Sequence, residues 1–105
     1  MKESQIQRLA CGAMKLCGFV VIRMNAGTFS MGGRRIRGVD AGTPDVMVLL
    51  SRGRVAWIEF KAPGGKLSPE QTGWHARAVR LGHAVAVLDD AQAAVEFVRR
   101  VEGMR

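Results

Sequence analysis

Three side chains near the middle of this chain have the types and spacing suited to breaking a phosphodiester bond: Asp45, Glu59 and Lys61. Asp45 follows Pro44 and opens one apolar run, and Glu59 and Lys61 flank Phe60 at the close of the next. Alternate residues of a strand share a face, so Glu59 and Lys61 point the same way, roughly 7 Å apart along the strand. An acid and a lysine on the face of a buried strand need something to satisfy them. A divalent metal with an activated water would do so. Hydrolysis at phosphorus requires a water to lose its proton, the charge developing on phosphorus to be neutralised, and the leaving oxygen to be stabilised. Mg²⁺ serves all three needs when hard oxygen ligands hold it and open positions remain. Asp45 and Glu59 are the expected ligands, with the Phe60 backbone carbonyl as a third oxygen. Lys61 is expected to orient the water or stabilise its hydroxide form, its pKa lowered by the metal. The plainer alternative is a Glu–Lys ion pair with an unrelated Asp in a turn.

The elements that must position these groups follow from periodicity and punctuation. Residues 2–17 place Ile6, Leu9, Ala10, Ala13, Met14 and Cys17 at spacings of three and four, an amphipathic helix that Gly18 ends. Residues 19–24 are β-branched and apolar and predict a strand. Thr28–Met31 and Arg34–Arg37 flank Gly32-Gly33, a two-residue hairpin signal. Residues 45–50 predict a buried strand, Ser51-Arg52-Gly53 a tight turn, and 54–61 the antiparallel partner. Ser68, Pro69 and Gln71 spell an N-cap, a first-turn proline and a capping box for a helix running to about Leu81. Residues 83–88 predict another strand, and Asp89-Asp90 cap a last helix bearing Val95, Val98 and Val101. The order α-β-hairpin-β-β-α-β-α predicts an α/β fold, a mixed central sheet flanked by helices. Nothing in 1–105 suggests a linker or repeat, so one domain is expected.

Other residues carry two readings each. Glu3 and Gln7 share a helical face. Glu3 reaches the metal as an outer ligand if that helix packs beside the sheet, and otherwise is a solvated first-turn acid favoured by the helix dipole. Gln71 is explained by its capping box, or points at the water or phosphate. Trp74, one turn on, fits the core better than a base-stacking platform. His75 and His83 are lone histidines that fit surface or satisfied positions, because no partner is evident.

With 16 Lys+Arg against 9 Asp+Glu, the net charge is +7. Twelve of those bases are Arg, the type suited to forked phosphate contacts. Such a balance points to nucleic acid, an anionic membrane or an acidic partner. Cys11 and Cys17, about 9 Å apart along one helix, are too far apart to bridge. They fit small buried apolar positions in a reducing cytosol. Glu3, Arg8, Lys15 and Arg23 break any apolar run that would span a membrane or serve for export, so a cytoplasmic location and no membrane partner are expected.

The ordered set of motifs resembles a stand-alone VRR-NUC domain, the virus-type replication-repair branch of the PD-(D/E)xK nucleases. The matching residues are Glu3 with Gln7, Arg23-Met24-Asn25-Ala26-Gly27, Gly42-Thr43-Pro44-Asp45, Ile58-Glu59-Phe60-Lys61, Leu67-Ser68-Pro69-Glu70-Gln71 with Trp74, and Gly82. The resemblance implies a restriction-endonuclease-like core with Glu3, Asp45, Glu59 and Lys61 catalytic and Gln71 accessory. It implies Mg²⁺ or Mn²⁺ as cofactor, branched or four-way DNA as substrate, 5′-phosphate products and a homodimer. Phe60, where this family often carries Val, is a mild departure that touches packing only. Arg34, Arg35 and Arg37 of the hairpin, with Arg23 and Lys66, are expected to grip backbone phosphates, which gives affinity without base readout.

Three other functions share parts of this pattern. A non-catalytic DNA-binding module would keep the fold and the charge, but has no need of Asp45, Glu59 and Lys61 together. An archaeal-type junction resolvase shares the acidic residues but not the Gln71–Trp74 helix. A restriction-type enzyme would need base recognition, for which the chain offers little room outside a dimer.

Overall fold

A computed structural model describes residues 1–24 and 28–104, with the side chains of 28–31 and 35–37 outside the description. Asn25, Ala26 and Gly27 of the motif set therefore lie outside the described residues. The elements run α1 Glu3–Leu16, β1 Val20–Arg23, β2 Thr28–Met31, β3 Arg34–Arg37, β4 Val46–Leu49, β5 Val55–Phe60, α2 Pro69–Arg80, β6 Ala84–Leu88 and α3 Ala91–Gly103. This is the expected order. β2 and β3 pair with each other as a separate antiparallel hairpin, Phe29 opposite Ile36. The central sheet is mixed, in the order β1-β4-β5-β6, antiparallel except for the parallel β5–β6 pair.

Two faces of that sheet do different work. Val46, Val48, Ala56, Ile58 and Phe60 alternate onto one face and are buried against Ile6, Ala10 and Met14 of α1 and Val95, Val98 and Val101 of α3. Met47, Trp57 and Glu59 alternate onto the other face. There α2 lies down, with Trp74 edge-on to Trp57 at 5.0 Å between ring centres. The register Val46↔Ile58 puts Asp45 across from Glu59 one step further along, so both carboxyls emerge on the α2 side.

The β4–β5 turn fixes that register. It is a single 3₁₀ turn, Ser51–Gly53, with Arg52 in the left-handed region at φ 63°. The following Arg54 reaches across to the end of α3. Its guanidinium donates to the carbonyls of Val101 (2.6 Å), Glu102 (2.9 Å) and Met104 (2.9 Å), satisfying the acceptors a helix end leaves open. The Glu102 carboxylate accepts from Arg54 at 2.9 Å and from the Ser51 hydroxyl and amide, which hold it below the ordinary carboxylate range.

α2 begins as its sequence dictates. Ser68 accepts from the Gln71 N–H at 3.2 Å, and Gln71 Oε1 accepts from the Ser68 N–H at 2.8 Å. The loop leading to Asp45 presses against this helix start. Gly42 stands at φ 92°, and a Cβ there would lie 2.7 Å from the Glu70 carbonyl carbon and closer still to its oxygen. Gly42→Ala therefore meets both a strained backbone angle and a backbone clash. Its expected cost is on the order of 3 kcal/mol, or about 15 °C in Tm for a domain of this size. A melting curve checks this, and an unchanged Tm would mean the loop does not need the close approach.

Two sequence expectations need correcting. Cys11 is buried, but Cys17 is exposed because it caps the helix end, past the last turn that faces the sheet. The strand 45–50 is not buried throughout. Leu49 is 41% exposed on the face that α2 covers only in part, and Val20 and Ile22 of the edge strand β1 are exposed on that same face. Among the described residues, no helix is long and apolar enough to cross a membrane.

Candidate active site

Asp45 enters the site just before β4, and its rotamer is set by a backbone donor. The Phe60 N–H donates to Asp45 Oδ2 at 2.7 Å, so the chain of β5 itself holds the carboxylate beside Glu59. Phe60 is fully buried in the core, which anchors that donor. Glu59, one residue back, is 2% exposed. Burial, then the neighbouring Asp45 carboxyl, raise its pKa to about 8 against the smaller pull of Lys61. Two carboxyls this close in a dry setting either share a proton or share a cation. One oxygen of Glu59, Oε1, is buried with no hydrogen-bond partner.

Lys61 turns into the same region. Its side chain is 16% exposed, and its Nζ lies 3.8 Å from Glu3 Oε1. The partner of Lys61 is thus the acid of α1 rather than Glu59, and the Glu3 carboxylate also adds to the rise in the Glu59 pKa. Next on the same helical face, the Gln7 amide oxygen, turned toward Arg23, accepts from its Nη2 and Nε at 3.3 and 3.2 Å. The structure thereby brings Glu3, Asp45, Glu59 and Lys61 to one end of the β4–β5 pair.

The donor set suits a hard cation that keeps several waters. Among the described residues, no three His, Cys, Asp or Glu side chains form a ready-made metal cage. The ligands on offer are the two converging carboxyls, with the Phe60 carbonyl as the sequence suggests. Mg²⁺ is commonly held by one or two carboxylates and completes its shell with water and substrate oxygen. The unpartnered Glu59 oxygen and the raised Glu59 pKa are marks of a site short of positive charge. On this structure's own geometry, the residues fit such an ion.

The remaining expected residues are placed less closely. Gln71 Oε1 is taken by its own helix cap, and among the described residues no hydrogen bond joins it to Asp45, Glu59 or Lys61. Arg23, Arg34 and Lys66 are exposed, as phosphate contacts require. Arg35 and Arg37 stand on β3, and their side chains lie outside the described ones.

His75 is the residue that sequence reasoning missed. It is neither at the surface nor satisfied: it is 8% exposed, and its Nε2 has no hydrogen-bond partner. That nitrogen lies 3.8 Å from Glu59 Oε1. Burial lowers its pKa, so the ring is neutral at physiological pH. A signal was present in the chain, since Gln71, Trp74, His75 and Ala78 fall at helical spacing and so share a side.

Comparison with known proteins adds a separate line of observation. The VRR-NUC domain family matches residues 21–92. A solved structure described as a VRR_NUC domain superposes with a TM-score of 0.68 at 26% identity, covering 94% of this chain and 96% of that one. "Putative nuclease p44" of Acyrthosiphon pisum secondary endosymbiont phage 1 is 50% identical over 48 residues, which is 46% of this chain and 52% of that protein. The chain thus spans about half the length of this curated relative.

Proposed function

The chain belongs to the VRR-NUC family, and from that premise we propose that it is a divalent-cation-dependent DNA endonuclease selecting branched or four-way DNA by shape. The single observation that carries this reading is the meeting of Asp45 and Glu59 on one side of the sheet with Lys61 beside them. Asp45 and Glu59 hold a Mg²⁺ or Mn²⁺ ion, assisted by the Phe60 carbonyl. When bound, that ion supplies the positive charge and water activation that attack on a phosphodiester demands. Lys61 orients the attacking water with its ammonium, and Glu3 keeps that ammonium in place. Arg23, Arg34, Arg35, Arg37 and Lys66 grip backbone phosphates, which suits recognition of DNA shape rather than sequence. The relative's description as a nuclease supports the same reaction.

A homodimer completes the proposal. Two copies would present two sites to strands of opposite polarity, as paired cleavage of a junction requires. The exposed apolar edge at Val20 and Ile22 is a surface a second copy would cover.

The test is cleavage of linear, flapped and four-way DNA with Mg²⁺, Mn²⁺ or EDTA. Cutting of the branched substrates that EDTA abolishes is the expected result. Binding without metal-dependent cutting would identify a non-catalytic module. Site-specific cutting of plain duplex would identify a restriction-type enzyme.

A further inference from the structure

We propose that His75 is a positioning residue for the metal-binding carboxylate, its Nε2–H closing on Glu59 Oε1 to fix the direction in which Glu59 faces the cation. The proposal rests on the cation-binding half of the reading above and not on its DNA half.

The observation is a pair of orphans. Glu59 Oε1 and His75 Nε2 are both buried, both without a hydrogen-bond partner among the described residues, and face each other at 3.8 Å. Buried polar groups rarely stay unpaired, and each such group calls for an explanation. The gap is about 0.9 Å longer than an N–H···O bond. It is also too short to hold a bridging water, which needs two bonds of about 2.8 Å and so a wider separation. The pair therefore closes directly or stays open.

The surroundings are built for closing. The ring of His75 stands edge-on to Trp74 at 6.1 Å, and Trp74 stands edge-on to Trp57 on the sheet. That aromatic stack ties the imidazole to the strand that carries Glu59. Along β5, Trp57 and Glu59 share a face, so α2 offers its ring to the carboxyl from above the sheet. The charged groups felt at His75 are Asp45 and Lys61, both members of the same site.

The chemistry follows from the two ends of one carboxylate. Asp45 stands across the β4–β5 register from Glu59, and the two carboxyls share the cation position. Oε1 of Glu59 is left without a partner, an acceptor facing His75 of α2. A donor on that oxygen stops the carboxylate rotating and raises its quality as a ligand. Outer partners of this kind are commonly worth ten- to a hundredfold in metal affinity. A neutral imidazole supplies one N–H for the purpose, with the tautomer set by the acceptor it faces.

The test uses the full chain and Mn²⁺ alone, with free Mn²⁺ followed by its paramagnetic resonance signal. Three proteins are compared: the wild type, His75→Phe, which keeps the ring without the donor, and His75→Gln, whose amide nitrogen takes the place of Nε2. His75→Phe is expected to weaken Mn²⁺ binding about tenfold or more. His75→Gln is expected to stay within about threefold of wild type. The Mn²⁺ concentration for half-maximal cleavage should move with the binding constant, while the rate at saturating metal should not. Wild-type affinity in His75→Phe would overturn the proposal, and so would equal losses in both variants, which would mean packing rather than a hydrogen bond. Failure of the wild type to take up Mn²⁺ would overturn it together with the metal reading. If His75→Phe does not fold, His75→Gln decides: retained affinity supports the proposal, and a tenfold loss overturns it. Binding that depends on His75 in a protein that cuts no DNA would remove the nuclease reading and leave this one standing.

Discussion

Glu59→Gln is expected to lower metal-dependent DNA cleavage by roughly a thousandfold or more, while the protein folds and binds DNA as before. Glutamine fills the same space but offers no negative oxygen to a cation. Asp45→Asn and Lys61→Ala should fall in the same range for different reasons: the first halves the carboxylate pair, and the second removes the ammonium beside the water. The three losses should not add, because groups that act as a unit fail together. Glu3→Gln belongs in the same series as a milder change. Glu3 is half exposed and touches the site through Lys61, so its loss leaves Lys61 present but untethered. Single-turnover cleavage at saturating Mg²⁺, with DNA binding measured separately in Ca²⁺, checks each variant. Full activity in Glu59→Gln would remove the metal site from the reaction.

The same substitution should stabilise the metal-free protein at alkaline pH, and this is the second large effect. Burial and the Asp45 carboxyl raise the Glu59 pKa from 4.5 to about 8. Between those values the folded chain holds a proton that the unfolded chain has released. Stability therefore falls as pH rises across that window, by a few kcal/mol in order of magnitude. Below pH 4.5 the group is neutral in both states, and wild type and Glu59→Gln should melt alike. Above pH 8 the variant should melt several degrees higher, since it never places a second negative charge beside Asp45. Added Mg²⁺ should narrow the gap by stabilising the wild type alone. Parallel melting curves across pH 4–9 would show that the two carboxyls do not strain each other.

These effects turn on features that differ in how far the sequence discloses them. Local signals were legible. Ser68, Pro69 and Gln71 specify the start of α2, Gly32-Gly33 specify the hairpin, and the interval from Asp45 to Glu59 sets two acids across from each other once the turn is known. Each depends on backbone preferences within a few residues. The Lys61–Glu3 pairing was not legible, because α1 and the end of β5 are far apart in the chain and only the packed core joins them. His75 was harder still. Its burial comes from α2 lying on the second face of the sheet, a placement decided by Trp57 and Trp74 together. Gln71 shows the reverse case: the local capping signal named its partner correctly, while any role toward substrate depends on groups the sequence cannot aim.

The Arg54 clamp bears on how this domain is to be recognised and excised. The family match spans residues 21–92, starting beyond α1 and ending two positions into α3. Beyond that border lie Val95, Phe97, Val98 and Val101 of the core and the three carbonyls that hold Arg54. Arg54 in turn sits at the closed end of the β-ribbon whose open end bears both acids, and a slip of one residue there would send them to opposite faces. Borders drawn from that match alone would cut away Glu3 with α1 and would keep Asp45 and Glu59 without what aligns them, so the working unit runs from α1 through Met104.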